Sequence, residues 1–469
     1  MISAASGEKA GPSRLTGIQL TGYAGPHTVL FLARAASFGI IPALYAERFD
    51  ITLDKIAGIL LLMRFVEAAL QLVTGRVTDA TARGRFHRKV WVATGTAGAC
   101  IGIIFLYAPP ASAGLFYLGL WLSIVTLIGS VTEVAYYSWG AEITNDYSER
   151  GRVATVQQWA AIAGQVVFFG LPLLPFTPTT EINFEVLGLI AVVVAVTTPL
   201  LIAGAWFLAP LGNPGVGTAS PTVTSLVRAI LANRPMQCLV LGGMFFDIAA
   251  SVAVGVGFLF IDSYLQAGRF VSYQGLLQMG GAFVGIAVTS YFITRLQKHR
   301  VWAVSCWAYT AMLSTAIFLT PSTPYAGPIY VGITTLSYLL AMGAVVAPNS
   351  IIGDVIDYER WRSDEQQSGQ LVAAFQLTMK LVGGLATALG FFLLNLFGFE
   401  PGQESYGERA SFGIKFVAVF TPAALMAFSG VVAWYFPLNR RRQLIVRRRL
   451  AARDRRRGGG PNVVPAREA

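Results

Sequence analysis

Long apolar runs recur along this chain, separated by short polar stretches. Their centres fall near Ala33, Leu70, Gly98, Ser123, Ala163, Val194, Ala249, Ala282, Thr310, Leu336, Ala386 and Leu425. A helix that crosses a bilayer needs about 20 predominantly apolar residues. The pattern therefore predicts an all-α integral membrane protein with twelve transmembrane helices. One stretch, Met63 to Trp91, departs from plain apolarity. It opens as an apolar helix with charge inside it, where Arg64, Glu67 and Gln71 fall at i, i+3 and i+7 and share one face. It then closes as a basic loop, Gly75-Arg76-Val77-Thr78-Asp79 followed by Arg83-Gly84-Arg85-Phe86-His87-Arg88-Lys89.

The polar stretches give an orientation. With the N-terminus inside, the inner loops hold Arg83, Arg85, Arg88 and Lys89, then Arg150 and Arg152, Arg228 and Arg234, Arg295, Lys298 and Arg300, and Arg360 and Arg362. The outer loops hold only Arg48, Lys55, Arg269, Arg409 and Lys415. This is the positive-inside bias of a multi-pass cell-membrane protein, the inner membrane in a bacterium, with both termini cytoplasmic. The longest middle connection contains Gly212-Asn213-Pro214-Gly215 and Ser220-Pro221 and ends in Asn233-Arg234-Pro235. Such turn formers read as a linker. The expected organisation is a cytoplasmic segment (1–22), a six-helix bundle (23–209), a cytoplasmic linker (210–235), a second six-helix bundle (236–437) and a basic cytoplasmic tail (438–469). An internal repeat supports the division. Lys89-Val90-Trp91 and Arg300-Val301-Trp302 open the third and ninth spans, Asp146-Tyr147 and Asp357-Tyr358 follow the fourth and tenth, and both pairs are 211 residues apart (300 − 89 and 357 − 146). Two halves entering the membrane in the same sense form the parallel-repeat pattern of the major facilitator fold, whose site lies near the bilayer midplane.

Composition agrees: 469 residues, 54% hydrophobic and only 13% charged, where a soluble chain carries about a quarter charged residues. The net charge of +11 gathers in the tail from Arg440 to Arg457, which reads as an anchor on anionic lipids rather than a nucleic-acid surface. Cys100, Cys238 and Cys306 lie far apart in apolar runs and read as buried free thiols, with no metal spacing. His27, His87 and His299 make no cluster. The N-terminus shows no signal-peptide pattern. No Gly-x-Ser-x-Gly or His-Glu-x-x-His motif points to a membrane-embedded enzyme, and solute flux would separate a transporter from a non-transporting sensor.

A charge at the bilayer centre costs roughly 2.5–3.5 kcal/mol on insertion scales and is kept for a purpose. Five spans carry such residues: Arg34, Arg64 with Glu67, Glu133, Asp247 and Lys380. They could pair as bundle glue, but their placement in cavity-lining spans favours a site for a cation or polar solute. Aromatic and amide residues accompany them. Tyr137 is read as a cavity residue, Trp139 and Trp159 as either cavity or interfacial belt, and Gln157 and Gln158 open the fifth span. Asp79, Arg83 and Arg85 could form a charge network that holds an inner gate, or the arginines could be plain positive-inside anchors.

These residues resemble the glycoside–pentoside–hexuronide:cation symporters, the melibiose permease-like family of the major facilitator superfamily. The likeness rests on Glu142-Ile143-Thr144-Asn145-Asp146-Tyr147-Ser148-Glu149-Arg150, on Asp354-Val355-Ile356-Asp357-Tyr358-Glu359 and on Lys380-Leu381-Val382-Gly383-Gly384, with Gly75 to Arg85 similar to the superfamily's loop motif. The resemblance implies a cation site at Glu67, Gln71, Ser130 and Glu133 with Lys380 nearby. One family carboxylate is an amide here, Gln71, which favours a proton over sodium as the coupling ion; no other cofactor is implied. The family's sugar-binding aspartate falls at Phe31 and its arginine at Gln158, or at Gln157 if the register shifts by one. Arg34, one turn from Phe31, suggests an acidic solute such as a uronide. Tyr137, Gln157, Gln158, Gln376 and Arg34 are the candidate solute contacts. The expectation is a monomeric cation-coupled symporter of a sugar-like solute working by alternating access, with a lipid or lysolipid carrier of the same fold as the alternative.

Overall fold

The computed structural model describes residues 15–80, 87–144, 146–212, 223–363 and 368–456. These residues form α-helices and connections, without a strand. The first stretch comprises α1 (Gly17–Ser37), α2 (Ile40–Phe49), α3 (Leu53–Ala80), α4 (His87–Tyr107), α5 (Leu115–Ile143), α6 (Tyr147–Gly170) and α7 (Phe184–Phe207). The second comprises α8 (Val223–Leu231), α9 (Arg234–Leu259), α10 (Val271–Arg295), α11 (Lys298–Ser314), α12 (Ala326–Ser363), α13 (Ser368–Leu396), α14 (Glu408–Lys415), α15 (Thr421–Trp434) and α16 (Arg440–Arg456). All twelve predicted run centres fall inside helices.

Ten helical stretches among the described residues are long and apolar enough to cross a membrane. α1 and α2 together make an eleventh, bent by 49° at a break after Ser37. α3 has 28 residues, about 42 Å at 1.5 Å per residue, which exceeds the roughly 30 Å hydrocarbon core.

The chain divides into two compact units, residues 1–220 and 221–469. In the first, α1 packs on α6 and α7, α4 on α5 and α7, and α3 on α5. In the second, α9 packs on α13 and α15, α11 on α12 and α15, and α10 on α12. The pairings correspond one for one, so the repeat read from two short motifs extends to the packing of each unit. A partly buried ion pair recurs as well. In the first unit Arg88 at the start of α4 binds Glu142 at the end of α5 at 2.8 Å, and in the second Lys298 at the start of α11 binds Asp354 near the end of α12 at 2.8 Å.

Several boundaries differ from the sequence expectation, each for a local reason. α1 begins at Gly17, inside the segment read as 1–22, because Thr16 and Gln19 form a capping box: the Gln19 N–H donates to the Thr16 hydroxyl and the Thr16 N–H to the Gln19 side chain. Gly75 to Asp79 continue α3 instead of forming a loop. The stretch read as linker holds a helix, α8, and Asn233 then caps α9 by accepting from the Met236 N–H at 3.0 Å. Asp357-Tyr358 does not follow the tenth span but lies within it. α12 runs for 38 residues, about 57 Å, so it extends well past a hydrocarbon core and carries the motif in its last turns.

Close crossing in the first unit depends on glycine. A Cβ on Gly164 of α6 would sit 2.3 Å from the Thr28 carbonyl oxygen and 2.8 Å from the Leu32 nitrogen of α1. These are backbone atoms that no rotamer change can move. Gly164→Ala is therefore expected to push α1 off α6 and cost about 1–3 kcal/mol of stability, read as a lower unfolding temperature of the purified protein. An unchanged temperature would show that the crossing is more forgiving.

Candidate functional site

The break between α1 and α2 opens one wall of a cleft within the first unit. Phe38 and Gly39 leave the regular helix there, with Gly39 at φ −129° and ψ −58°. Ser37 and Phe38 consequently reach the same space as Leu30 and Phe31 one or two turns earlier. α3 adds Glu67. α5 adds Thr126, Ser130 and Glu133, which recur at i, i+4 and i+7 and so share one face of that helix. Gly129, where an added Cβ would meet nothing within 4 Å, leaves room beside them. The space enclosed among these groups is about 30 Å³, room for about one water molecule or a small ion. Of the sequence candidates, Phe31, Glu67, Ser130 and Glu133 are brought together here.

At Glu67 the charge is matched. Arg64, one turn before Glu67 on α3, places Nη1 2.7 Å from its Oε2, and both side chains are nearly buried. The same guanidinium lies 4.0 Å from the centre of the Phe38 ring. Arg64 is thus held between a carboxylate and an aromatic face, and Glu67 is fixed in place by a charge-assisted bond. An incoming cation at Glu67 has to compete with that guanidinium.

His27, which the sequence left outside any cluster, lines the cleft and is fully buried. Its ring and that of Tyr23, one turn earlier on α1, enclose the Tyr136 ring of α5. The Tyr23–Tyr136 and His27–Tyr136 centroids are each 4.5 Å apart, with the planes within 10°. Phe31 and Tyr137 meet the His27 ring edge-on at 4.7 and 5.7 Å. Nδ1 of His27 donates to the Gln157 carbonyl of α6 at 3.0 Å, which fixes the proton on that nitrogen. The available signal was the four-residue spacing of Tyr23, His27 and Phe31, which puts three rings on one stripe of α1.

The remaining candidates are placed as follows. Gln157 is buried, and its amide donates to the Tyr23 hydroxyl, which in turn donates to the Tyr136 carbonyl at 3.1 Å. Gly140 leaves room for that chain, since a Cβ there would come within 2.3 Å of the Tyr23 oxygen. Gln157 therefore supports the ring stack and is not among the residues lining the cleft. Gln158 is exposed. Tyr137 is 41% exposed and Trp159 58%, whereas Trp139 is buried in the core of the unit with its indole N–H donating to the Pro210 carbonyl at 3.2 Å. The belt reading therefore fails for Trp139, and its ring serves packing. Gln376 and Lys380 lie one turn apart on α13, and Asp247 lies on α9, all in the second unit. Arg83 and Arg85, and the side chains of Arg34, Gln71 and Asp79, lie outside the described residues.

Arg88 and Lys89, read from sequence as loop charges, are buried. Lys89 donates to the carbonyls of Trp206 and Ala209 at 2.7 and 2.6 Å, closing the end of α7. Buried carbonyls at a helix terminus need donors, and this requirement draws Lys89 inward, while Arg88 is held by the Glu142 carboxylate. Among the described residues no three or more His, Cys, Asp or Glu gather to hold a metal ion.

A family model described as MFS/sugar transport protein matches residues 28–440. The chain is 22% identical over 387 residues to YjmB, an uncharacterized symporter of Bacillus subtilis (strain 168), with 79% of this chain and 81% of the relative covered. It is 23% identical over 410 residues to the inner membrane symporter YicJ of Escherichia coli (strain K12), covering 83% and 85%. A crystal structure of a bacterial homolog to the human lysosomal transporter Spinster, inward-facing and unoccupied, matches with a TM-score of 0.65 at 15% identity over 92% of this chain and 97% of that one. At that identity the likeness is one of fold.

Proposed function

The chain belongs to the MFS/sugar transport protein family of membrane transporters, and from that premise we propose that it is a secondary active symporter that couples uptake of a small sugar-like solute to a cation, working by alternating access. The observation that carries this reading is the cleft of the first unit, where Glu67, Glu133, three hydroxyls and the rings of His27, Phe31 and Phe38 converge on one small polar space. Rings beside hydrogen-bonding groups suit the apolar faces and hydroxyl rims of a sugar. Glu133 is the coupling carboxylate in this reading, with Ser130 beside it, and the family resemblance adds Gln71 and Lys380 to the cation site.

A proton is the coupling ion that the chemistry favours. Sodium needs several hard oxygens at once, and Glu67 already spends its charge on Arg64. A proton needs only one carboxylate to carry it, and Glu133 supplies one. The bias of basic loops supports cytoplasmic termini, and a proton-coupled symporter carries its solute in the direction of the proton gradient imposed on it.

The test is uptake by purified protein in proteoliposomes under an imposed proton or sodium gradient, across a panel of glycosides, uronides and lysolipids. Proton-driven accumulation of a glycoside or a uronide is the expected result. Accumulation of lysolipids alone would replace the sugar reading with a lipid carrier, and sodium-driven accumulation would overturn the choice of ion.

A further inference from the structure

A second cavity opens in the other unit, between the first turn of α9, the last turns of α12 and the turn that joins α15 to α16, with a volume of about 590 Å³. Its wall carries Arg234, Arg442 and Arg449 and no carboxylate. Tyr358, Trp361 and Tyr435 add aromatic rings, and Leu438, Ile445 and Val446 an aliphatic side. Its level along the membrane normal is set by the helices. Arg234 begins one spanning stretch and Tyr435 directly follows the end of another, Glu408–Trp434. That is the headgroup level, where amphipathic rings gather.

The wall is built, not a loose tail. Val446 and Leu450 of α16 are buried. Arg447 reaches Asp354 at 3.4 Å and Asp357 at 3.3 Å, and Arg453 donates to the Arg360 carbonyl at 2.8 Å. Arg449 lies 5.5 Å from the Trp361 ring centre, and Arg442 donates to the Pro437 carbonyl at 2.7 Å. Two guanidiniums are thus held in position beside the N-terminus of α9, whose dipole also favours an anion.

We propose that this cavity binds the phosphate headgroup of an anionic phospholipid. Arg234, Arg442 and Arg449 meet the phosphate oxygens, a pairing that the guanidinium fork suits, and the rings and aliphatic side take the glycerol and the upper acyl chain. A soluble phosphate would use the arginines but leave the apolar half of the wall idle, so a lipid is the better fit.

The experiment is native mass spectrometry of the full-length protein in detergent, titrated with phosphatidylglycerol or phosphatidylcholine. Selective retention of phosphatidylglycerol is expected. Arg442→Gln with Arg449→Gln should weaken it roughly 30-fold, about fivefold for each charge near the surface. Arg441→Gln with Arg448→Gln removes the same charge from positions of α16 that do not line the cavity and should leave retention nearly unchanged. Arg442→Lys with Arg449→Lys keeps the charge and should retain part of the binding, which shows that the fold tolerates change there. Equal loss in both Gln pairs, no preference for phosphatidylglycerol, or full displacement by equimolar inorganic phosphate would each overturn the proposal.

Discussion

Glu133→Gln is expected to abolish gradient-driven accumulation while solute still equilibrates across the membrane. A potential of 100 mV acting on one coupled charge supplies about 2.3 kcal/mol, enough for roughly 50-fold accumulation at about 1.4 kcal/mol per factor of ten. Glutamine keeps the size and hydrogen-bonding capacity of the side chain but cannot take up a proton, so the accumulation ratio should fall to unity with the cleft otherwise intact. Measuring the steady-state inside-to-outside ratio in proteoliposomes, alongside counterflow of unlabelled for labelled solute, separates loss of coupling from loss of binding. Undiminished accumulation in the variant would remove Glu133 from the coupling role.

Arg64→Leu should be the most damaging single change to stability near the cleft. The pair it forms with Glu67 is nearly buried, and deleting one partner leaves an uncompensated charge, a change that typically costs about 3–5 kcal/mol. The Phe38 ring would also lose the cation above it. Arg64→Leu combined with Glu67→Gln removes both charges and should recover most of that loss, since neutral replacements of a buried pair are often tolerated. Thermal unfolding of the purified single and double variants reads the difference. Equal damage in both would mean that Arg64 matters for packing and not for its charge.

Much of the architecture was legible because bilayer-spanning helices have to be long and apolar, and that demand is written in one dimension. The twelve run centres needed no tertiary information. The shared face of Arg64 and Glu67 was legible in the same way, from helical periodicity, whereas Ser130 entered only through the family resemblance. What escaped was whatever depends on where a helix stops. The break at Phe38–Gly39 carries no proline and lies within an apolar stretch, so nothing flagged Ser37 and Phe38 as cleft residues. The polar final turns of α12 read as loop because they outlast the hydrocarbon core, yet they remain helical. Gln157 was taken as a solute contact because an amide beside aromatics suits a sugar. Its actual partner, Tyr23, lies 134 positions away in the chain, and only the fold could reveal that pairing.

The Tyr136 ring enclosed by Tyr23 and His27 has a mechanical consequence. Sliding α1 along α5 and α6 would unstack two ring faces together and pull the His27 N–H from the Gln157 carbonyl of α6. Those costs rise together, so the helices should travel as a single stiff strut. Deformation is left to the kink beyond Ser37, the elbow at which α2 can swing while the strut keeps its shape.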